Sequence, residues 1–433
     1  MRPIYTVFLG FSVLFLLPHD VVGNCKLETV PNAPVVVTRF GSKQLLSDSP
    51  GIYELETGQT IDLYSASGFF IHRDYRNTYL IVRPNVTMRC NEYGAFQNSI
   101  NNNEAQKVQC LNGVSQLFES KNSLQNCLDD MTLILANNIN ENNSRKNLAI
   151  CYDIDSSRVK YIGYTTFPEK NQVLTMTQLG QLNDIGLDID VKYYKNLIKT
   201  ISQKDIDDYM AKEKTLFVPN TFKSDNLVQD ESVVRQLTGF EDLTTTIWLR
   251  VLSLGNWKNW ITAMRDASGV DNHFDIRLGV SGVIEIPTGF DGSCNASRSL
   301  KIKVANGGSF PIPAHIWAHI HALEKTGSVQ DEFVIIGHNS PFTTYDNSSD
   351  LCLSMCDQIS WLRNTLFARL HRHPNFGLVY CCRVEDVANK LDNFPGPFAK
   401  ANVESHHTDK FTTTTISPNV LEFLGSNEQS YDY

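Results

Sequence analysis

Four absences set the first limits on this chain. No Cys-x-x-Cys pair occurs among its ten cysteines, which removes the spacing of zinc ribbons and dithiol redox motifs and leaves disulfide partnership as the natural use of the thiols. No histidine stands between His72 and His273, so an imidazole general base in that long interval is excluded. Past residue 23, no apolar run approaches the roughly 20 residues that a membrane span needs, and a soluble mature chain with no membrane partner is expected. Positive charge is in deficit as well, with 38 Lys and Arg against 47 Asp and Glu and a net charge of −9. Because neutralised phosphates and released counterions supply most nucleic-acid affinity, an extended nucleic-acid groove is disfavoured and only a local basic patch is left open.

What the chain does have points outward from the cell. Arg2, an apolar run and a small-residue close before Asn24 fit a secretory signal peptide over residues 1–23, implying a secreted, extracellular protein in an oxidising compartment. Cys25, Cys90, Cys110, Cys127 and Cys151 lie in the first half, and Cys294, Cys352, Cys356, Cys381 and Cys382 in the second. If all ten are oxidised, an odd number of bridges joins the halves. Adjacent Cys381 and Cys382 point to opposite faces of a strand and need different partners; with Cys352 and Cys356 one helical turn apart, at least one bridge between the two pairs is expected. Sequons at Asn85, Asn142, Asn295 and Asn347 mark candidate glycosylated loops.

At 433 residues the chain exceeds one ordinary core, so two domains are the default. Short β-branched and aromatic runs at 34–40, 51–55, 60–64 and 79–83 predict a small disulfide-stapled β-rich domain over 24–149. An Asn-rich stretch, 137–147, reads as a linker or long loop. Paired strands at 148–154 and 159–165 open a second domain, 150–400, with further strands at 275–287, 313–321, 332–337 and 377–382 and a short helix near 384–391. The charged segment 193–214 reads as helical. Apolar spacing from Cys352 through Met355, Ile359, Leu362 and Leu366 to Leu370 predicts a helix over 350–370. Gly255 and Asn256 suggest a turn, followed by a buried amphipathic helix that carries Trp257 and Trp260 on one face. A polar tail, 401–433, is expected to be disordered.

The order of CYD (151–153), LGNW (254–257), PIPAHIW (311–317), FVIIGHNSP (333–341), CDQISWL (356–362) and VYCCRVED (379–386) resembles the DNA/RNA non-specific endonucleases, most closely their secreted, endonuclease-G-like branch. This resemblance implies an α+β fold, a ββα-metal nuclease-like domain with a mixed or antiparallel sheet. It also implies Mg²⁺ as cofactor and an Asp-Arg-Gly-His-type motif supplying the general base, with an Asn and a Glu further on. Aligned through KSDNLV (223–228) and GNW (255–257), the base position falls on Pro219, the metal-binding Asn on Ser253 and the assisting Glu on Ile261. None supplies the expected chemistry, so no catalytic residue is assigned. Asn256 and Asn259 are the nearest substitutes for a metal ligand.

A rival constellation is His315, His319 and His321, which share one strand face with Trp317 and can be joined by His338, His371 and His373. If these imidazoles converge they hold zinc or copper; otherwise they lie on a half-exposed strand face. Arg363, Arg369 and Arg372 form the one locally basic region, suited to phosphates or an acidic partner. Three readings result: a pseudonuclease with a binding role, an active metal-dependent endonuclease or phosphodiesterase acting on DNA and RNA, and a secreted His-rich metal-binding protein.

Overall fold

The computed structural model describes residues 24–398 apart from short internal stretches, the longest being 288–296, 324–330 and 343–350. Two of its sheets are built chiefly from the first 110 residues. One has five strands in the order Ile52–Leu55, Cys25–Glu28, Lys107–Cys110, Phe69–His72, Thr78–Ile81; the other has seven, with Thr60–Tyr64 and Asn85–Cys90 paired antiparallel at its centre. Strict alternation does the sorting: Cys25 and Leu27 are buried while Lys26 and Glu28 are exposed, as the period-2 pleat requires. Leu27, Ile61, Leu63, Phe69, Met88 and Phe96 form a core of their own, stapled by Cys25–Cys90.

The largest sheet among the described residues has nine strands. We label β1 (Ser115–Ser120), β2 (Met131–Asn140), β3 (Asn143–Asp153), β4 (Arg158–Thr165), β5 (Ile189–Asp190), β6 (Phe222–Asn226), β7 (Thr245–Leu249), β8 (Phe274–Ser281), β9 (His315–Ala322), β10 (Glu332–His338) and β11 (Val379–Cys382). The order in the nine-stranded sheet is β5-β1-β2-β3-β4-β8-β9-β10-β11, and every pairing in it is antiparallel. The β6 and β7 strands pair separately, as an antiparallel couple. Besides a single turn of helix at Glu231–Val234, the α-helices among the described residues are α1 (Gln203–Lys212), α2 (Arg250–Leu254), α3 (Asn256–Ala267), α4 (Leu366–Leu370) and α5 (Val384–Val387).

Both faces of the large sheet are covered, which is why its strands read as nearly continuous apolar runs. Ile162, Ile276, Leu278, Ile316, Ile320 and Phe333 face the core that holds α3 and β6–β7. Tyr161, Trp317, Val334, Ile336 and Tyr380 face a second core closed by Leu182, Ile185, Val384, Val387 and Leu391. Gly279 lies opposite Trp317 in the register, and a Cβ there would come within 2.2 Å of the indole. The glycine that interrupts the 275–287 strand is therefore the space into which Trp317 packs.

Several expectations need correction. The boundary at 149/150 falls inside β3, and the 137–147 stretch is the antiparallel meeting of β2 and β3 rather than a linker. Its polar character has a use there: buried Asn137 accepts hydrogen bonds from Ser115 (2.9 Å) and Asn147 (3.1 Å) through Oδ1. The helix expected over 350–370 forms only at α4, after a 3-10 turn at Cys356–Gln358. Cys352, Met355, Ile359 and Leu362 are buried as the spacing implied, but bridges Cys352–Cys382 and Cys356–Cys381 and a 2.8 Å bond from the Met355 amide to the Cys381 carbonyl tie this backbone to β11. Those groups are thereby withdrawn from an i to i+4 ladder. Of the 193–214 segment, the described helix is α1, whose start is fixed by a capping box between Ser202 and Asp205.

Four cysteine pairs are at disulfide distance: Cys25–Cys90, Cys127–Cys151, Cys352–Cys382 and Cys356–Cys381. The expected link from 352/356 to 381/382 is thus present twice, with Cys381 and Cys382 taking different partners. No described bridge joins the halves. Cys110 is a free, buried thiol whose pKa burial pushes up to about 12, so the condition that all ten are oxidised is not met. Asn85 is exposed at a strand start. Cys294, residues 1–23, Asn142, Asn295, Asn347 and the 401–433 tail lie outside the described residues. No helix among the described residues is long and apolar enough to cross a membrane.

Candidate functional site

Strand β7, paired antiparallel with β6, leads directly into α2 and α3. The corner between the helices is Gly255, where a Cβ would lie 2.3 Å from the Phe376 carbonyl oxygen and 2.5 Å from that of Val251; only glycine allows this approach of backbone to backbone. Asn256, fully buried, donates through Nδ2 to the carbonyls of Leu370 (2.8 Å) and Gly377 (2.5 Å). Trp248, Trp257 and Trp260 are all buried and meet edge to face at 5.2 and 5.3 Å. The GNW signature is therefore a corner, a polar clamp and an aromatic core, as the turn-and-helix reading anticipated.

The positions implied by the nuclease resemblance scatter within this element. Pro219 is in an exposed turn. Ser253 is 1% exposed and its Oγ accepts a 2.7 Å hydrogen bond from Gln229. Ile261 is 4% exposed within the main core. Asn256 has its amide nitrogen committed to two carbonyls, and its Oδ1 accepts from Asn259 at 3.3 Å. These residues do not fit Mg²⁺, a hard cation that takes carboxylate and other oxygen donors in an octahedron while keeping several waters. Among the described residues, the one group of three potential ligands is Cys127, Asp130 and Cys151, and its two sulfurs are spent on a disulfide.

No family model matches this chain. A search of curated proteins finds no match either.

The histidines of β9 do not converge on a metal. His315 and His319 are on one face, but Trp317 stands between them, and four residues of extended chain separate them by about 13 Å. Along that face Trp317 and His319 are fully buried, while His315 and His321 at its ends are half-buried. His319 Nε2 is 2.9 Å from Glu332 Oε1, and its ring packs on Phe394. Burial pushes its pKa down to about 4 despite Glu332. His315 instead pairs across the strands with His338, ring centroids 4.8 Å apart, and burial holds both below the usual range, His338 at about 3. His321 is half-buried, opposite Glu332 in the register. His371 stacks on Phe367, far along the chain in α4's C-cap, and burial lowers it too; His373 is exposed.

Two polar devices escaped the sequence reading. Asn339, the residue after β10, is fully buried. Its Oδ1 accepts from the Leu249 amide at 2.5 Å, and its Nδ2 donates to the carbonyls of Ile247 and Pro313 at 2.9 Å each. This one side chain fastens the end of β7 to the large sheet. On the second face of β8, Asp275 accepts from Thr165 (2.7 Å) and from the Gln181 amide (2.9 Å), and burial raises its pKa. Arg277 reaches Gln125 (2.8 Å), Gln181 (3.2 Å) and the Gly396 carbonyl (3.3 Å), with burial lowering it to about 10. The available signal was two charged residues alternating with apolar ones in a strand whose other neighbours leave no wet face.

An acid stands beside two of the arginines expected to form a basic region. Arg363, Arg369 and Arg372 are exposed; Arg372 pairs with Asp357, and Arg363 Nε donates to the Asp357 carbonyl at 3.3 Å. Beside them α2 packs on the Pro374–Phe376 turn, and α4 on α3. These elements expose Val251, Leu254, Leu366 and Phe376 by 42, 57, 60 and 41%. Exposed large apolar side chains on elements that also carry exposed arginines, on a chain of net charge −9, form a surface of distinct chemistry.

Proposed function

We propose that this chain is a secreted, glycosylated, disulfide-bonded relative of the non-specific endonucleases that has lost hydrolysis and acts by binding. The observation that carries the reading is the order of β6, β7, α2 and α3 with no usable chemistry at the three expected positions. Pro219 offers no proton acceptor, Ser253 is sealed against Gln229, and Ile261 is packed in the core. Attack of water on a phosphodiester needs a base within hydrogen-bond reach and a cation to balance the developing charge. The extracellular partner best suited to the exposed Arg363, Arg369 and Arg372 with Leu366 and Phe376 is a protein with an acidic, partly apolar face; a polyanionic nucleic acid is disfavoured by the overall charge.

The test is incubation of the purified protein with plasmid and RNA in Mg²⁺ and in Mn²⁺, beside an active member of the family. The expected result is intact substrate. Robust cleavage overturns the proposal, and its loss on changing His315 or His319 would move the active site to β9. Restoring histidine, asparagine and glutamate at 219, 253 and 261 is a poor substitute, because Ile261→Glu would bury an unpaired carboxylate beside the tryptophans.

A further inference from the structure

A cleft of about 150 Å³ lies at the meeting of β3, β4, β7 and the Phe310–Pro313 segment. Its floor is Tyr152, Ile201, Leu227, Leu243 and Ile247, each at most 5% exposed, and one wall is Phe310, Pro311 and Pro313. A space of this size with such a lining holds a single ring: an apolar cavity of about that volume is known to take up benzene.

Its polar groups divide into two sets. Thr244 Oγ1 is committed to Asn226 Oδ1 at 2.6 Å and Thr245 Oγ1 to the Glu241 carbonyl at 2.9 Å, while Tyr152 is hydrogen-bonded to Ser157. Against these, the Arg158, Lys199, Asp242 and Thr246 side chains line the cleft and make no ion pair or hydrogen bond among the described residues. Arg158, Lys199 and Asp242 are exposed and Thr246 is half-buried, so the spare charges stand at the mouth above an apolar floor. Two cations against one carboxylate favour an anionic ligand and leave Asp242 to accept from a donor on it.

We infer that this cleft is a binding site for a small anion consisting of one ring with a hydroxyl or amine and a single carboxylate or phosphate. The ring sits on the Leu227 and Ile247 floor against Phe310, the anion takes Arg158 and Lys199, and Thr246 and Asp242 receive the remaining polar groups. This assignment does not depend on the pseudonuclease reading, since none of these residues belongs to the positions that reading uses.

The experiment is isothermal titration calorimetry of the full chain with 4-hydroxybenzoate, 4-hydroxyphenyl phosphate and uncharged 4-hydroxybenzyl alcohol. One or both anions bind at least tenfold more tightly than the alcohol, and the stronger of them identifies carboxylate or phosphate as the source. Arg158→Ala with Lys199→Ala lowers anion affinity by about tenfold or more and leaves the alcohol unchanged. Thr246→Trp, filling the cleft from its half-buried side while thermal unfolding confirms the fold, removes all three. Equal binding of alcohol and anions, anion binding indifferent to loss of both cations, or no heat with any compound at millimolar concentration would overturn the inference.

Discussion

Mild acid weakens this protein through His319. The imidazole is fully buried between Phe394 and the Glu332 carboxylate, and burial pushes its folded-state pKa to about 4 from an ordinary 6.5. The unfolded chain therefore binds more protons than the folded one between those values, and stability falls as pH drops through 6.5. Between pH 7 and pH 5 the protonation difference grows by somewhat over one logarithmic unit, or about 2 kcal/mol at 1.36 kcal/mol per unit. That is a sizeable part of a total stability of roughly 5 to 15 kcal/mol. This window also avoids most of the range in which exposed carboxylates titrate. The assay is urea unfolding at both pH values, followed by tryptophan fluorescence, for the wild type and for His319→Gln, which keeps a donor toward Glu332 without titrating. Wild type should lose about 2 kcal/mol more than the variant on acidification. An identical pH dependence in the two proteins would refute the assignment of His319 as a buried neutral imidazole.

Asn339→Ala removes three buried hydrogen bonds and orphans the Leu249 amide, so chemical denaturation should show a loss of about 3 kcal/mol; a loss below about 1 kcal/mol would mean β7 is held by something else. Gly255→Ala forces a Cβ to 2.3 Å from the Phe376 carbonyl, and the expected cost of at least about 2 kcal/mol is readable as a drop in Tm. Trp257→Ala empties the centre of the tryptophan cluster and should cost about 3 to 5 kcal/mol, measured by the same denaturation. Non-reducing peptide mapping should recover Cys352–Cys382 and Cys356–Cys381, and it contradicts the fold if both 352 and 356 are found free.

Patterns whose cause is local were legible in the sequence. Short apolar, β-branched runs located the paired strands at 148–154 and 159–165 and the β10 and β11 runs, and alternation located β8 and β9, because strands buried on both faces need apolar side chains at both parities. The pair Cys381 and Cys382 announced two different partners because adjacent residues of a strand point to opposite faces. Gly255 and the three-residue spacing of Trp257 and Trp260 likewise specified a corner followed by a one-sided helix. Local pattern failed wherever a distant group competed for the same atoms. From Cys352 to Leu362 the apolar spacing was satisfied by burial, yet the backbone bonded to β11 through two bridges and the Met355 amide, so no continuous helix formed. Asn137 and Asn147 read as a loop because their hydrogen-bond partner was each other across β2 and β3. His315, His319 and His321 shared a face as expected, but Trp317 in the gap opposite Gly279 keeps His315 and His319 apart, and only His319 is fully buried. Asn339, Asp275 and Arg277 gave no sequence signal strong enough to be read, because what they do is defined by carbonyls and amides 26 to 152 residues away. Composition and parity thus determined the strands and the burial. Which polar groups are spent and which remain free, and hence where this chain has chemistry to offer, was decided only when the tertiary structure brought their partners together.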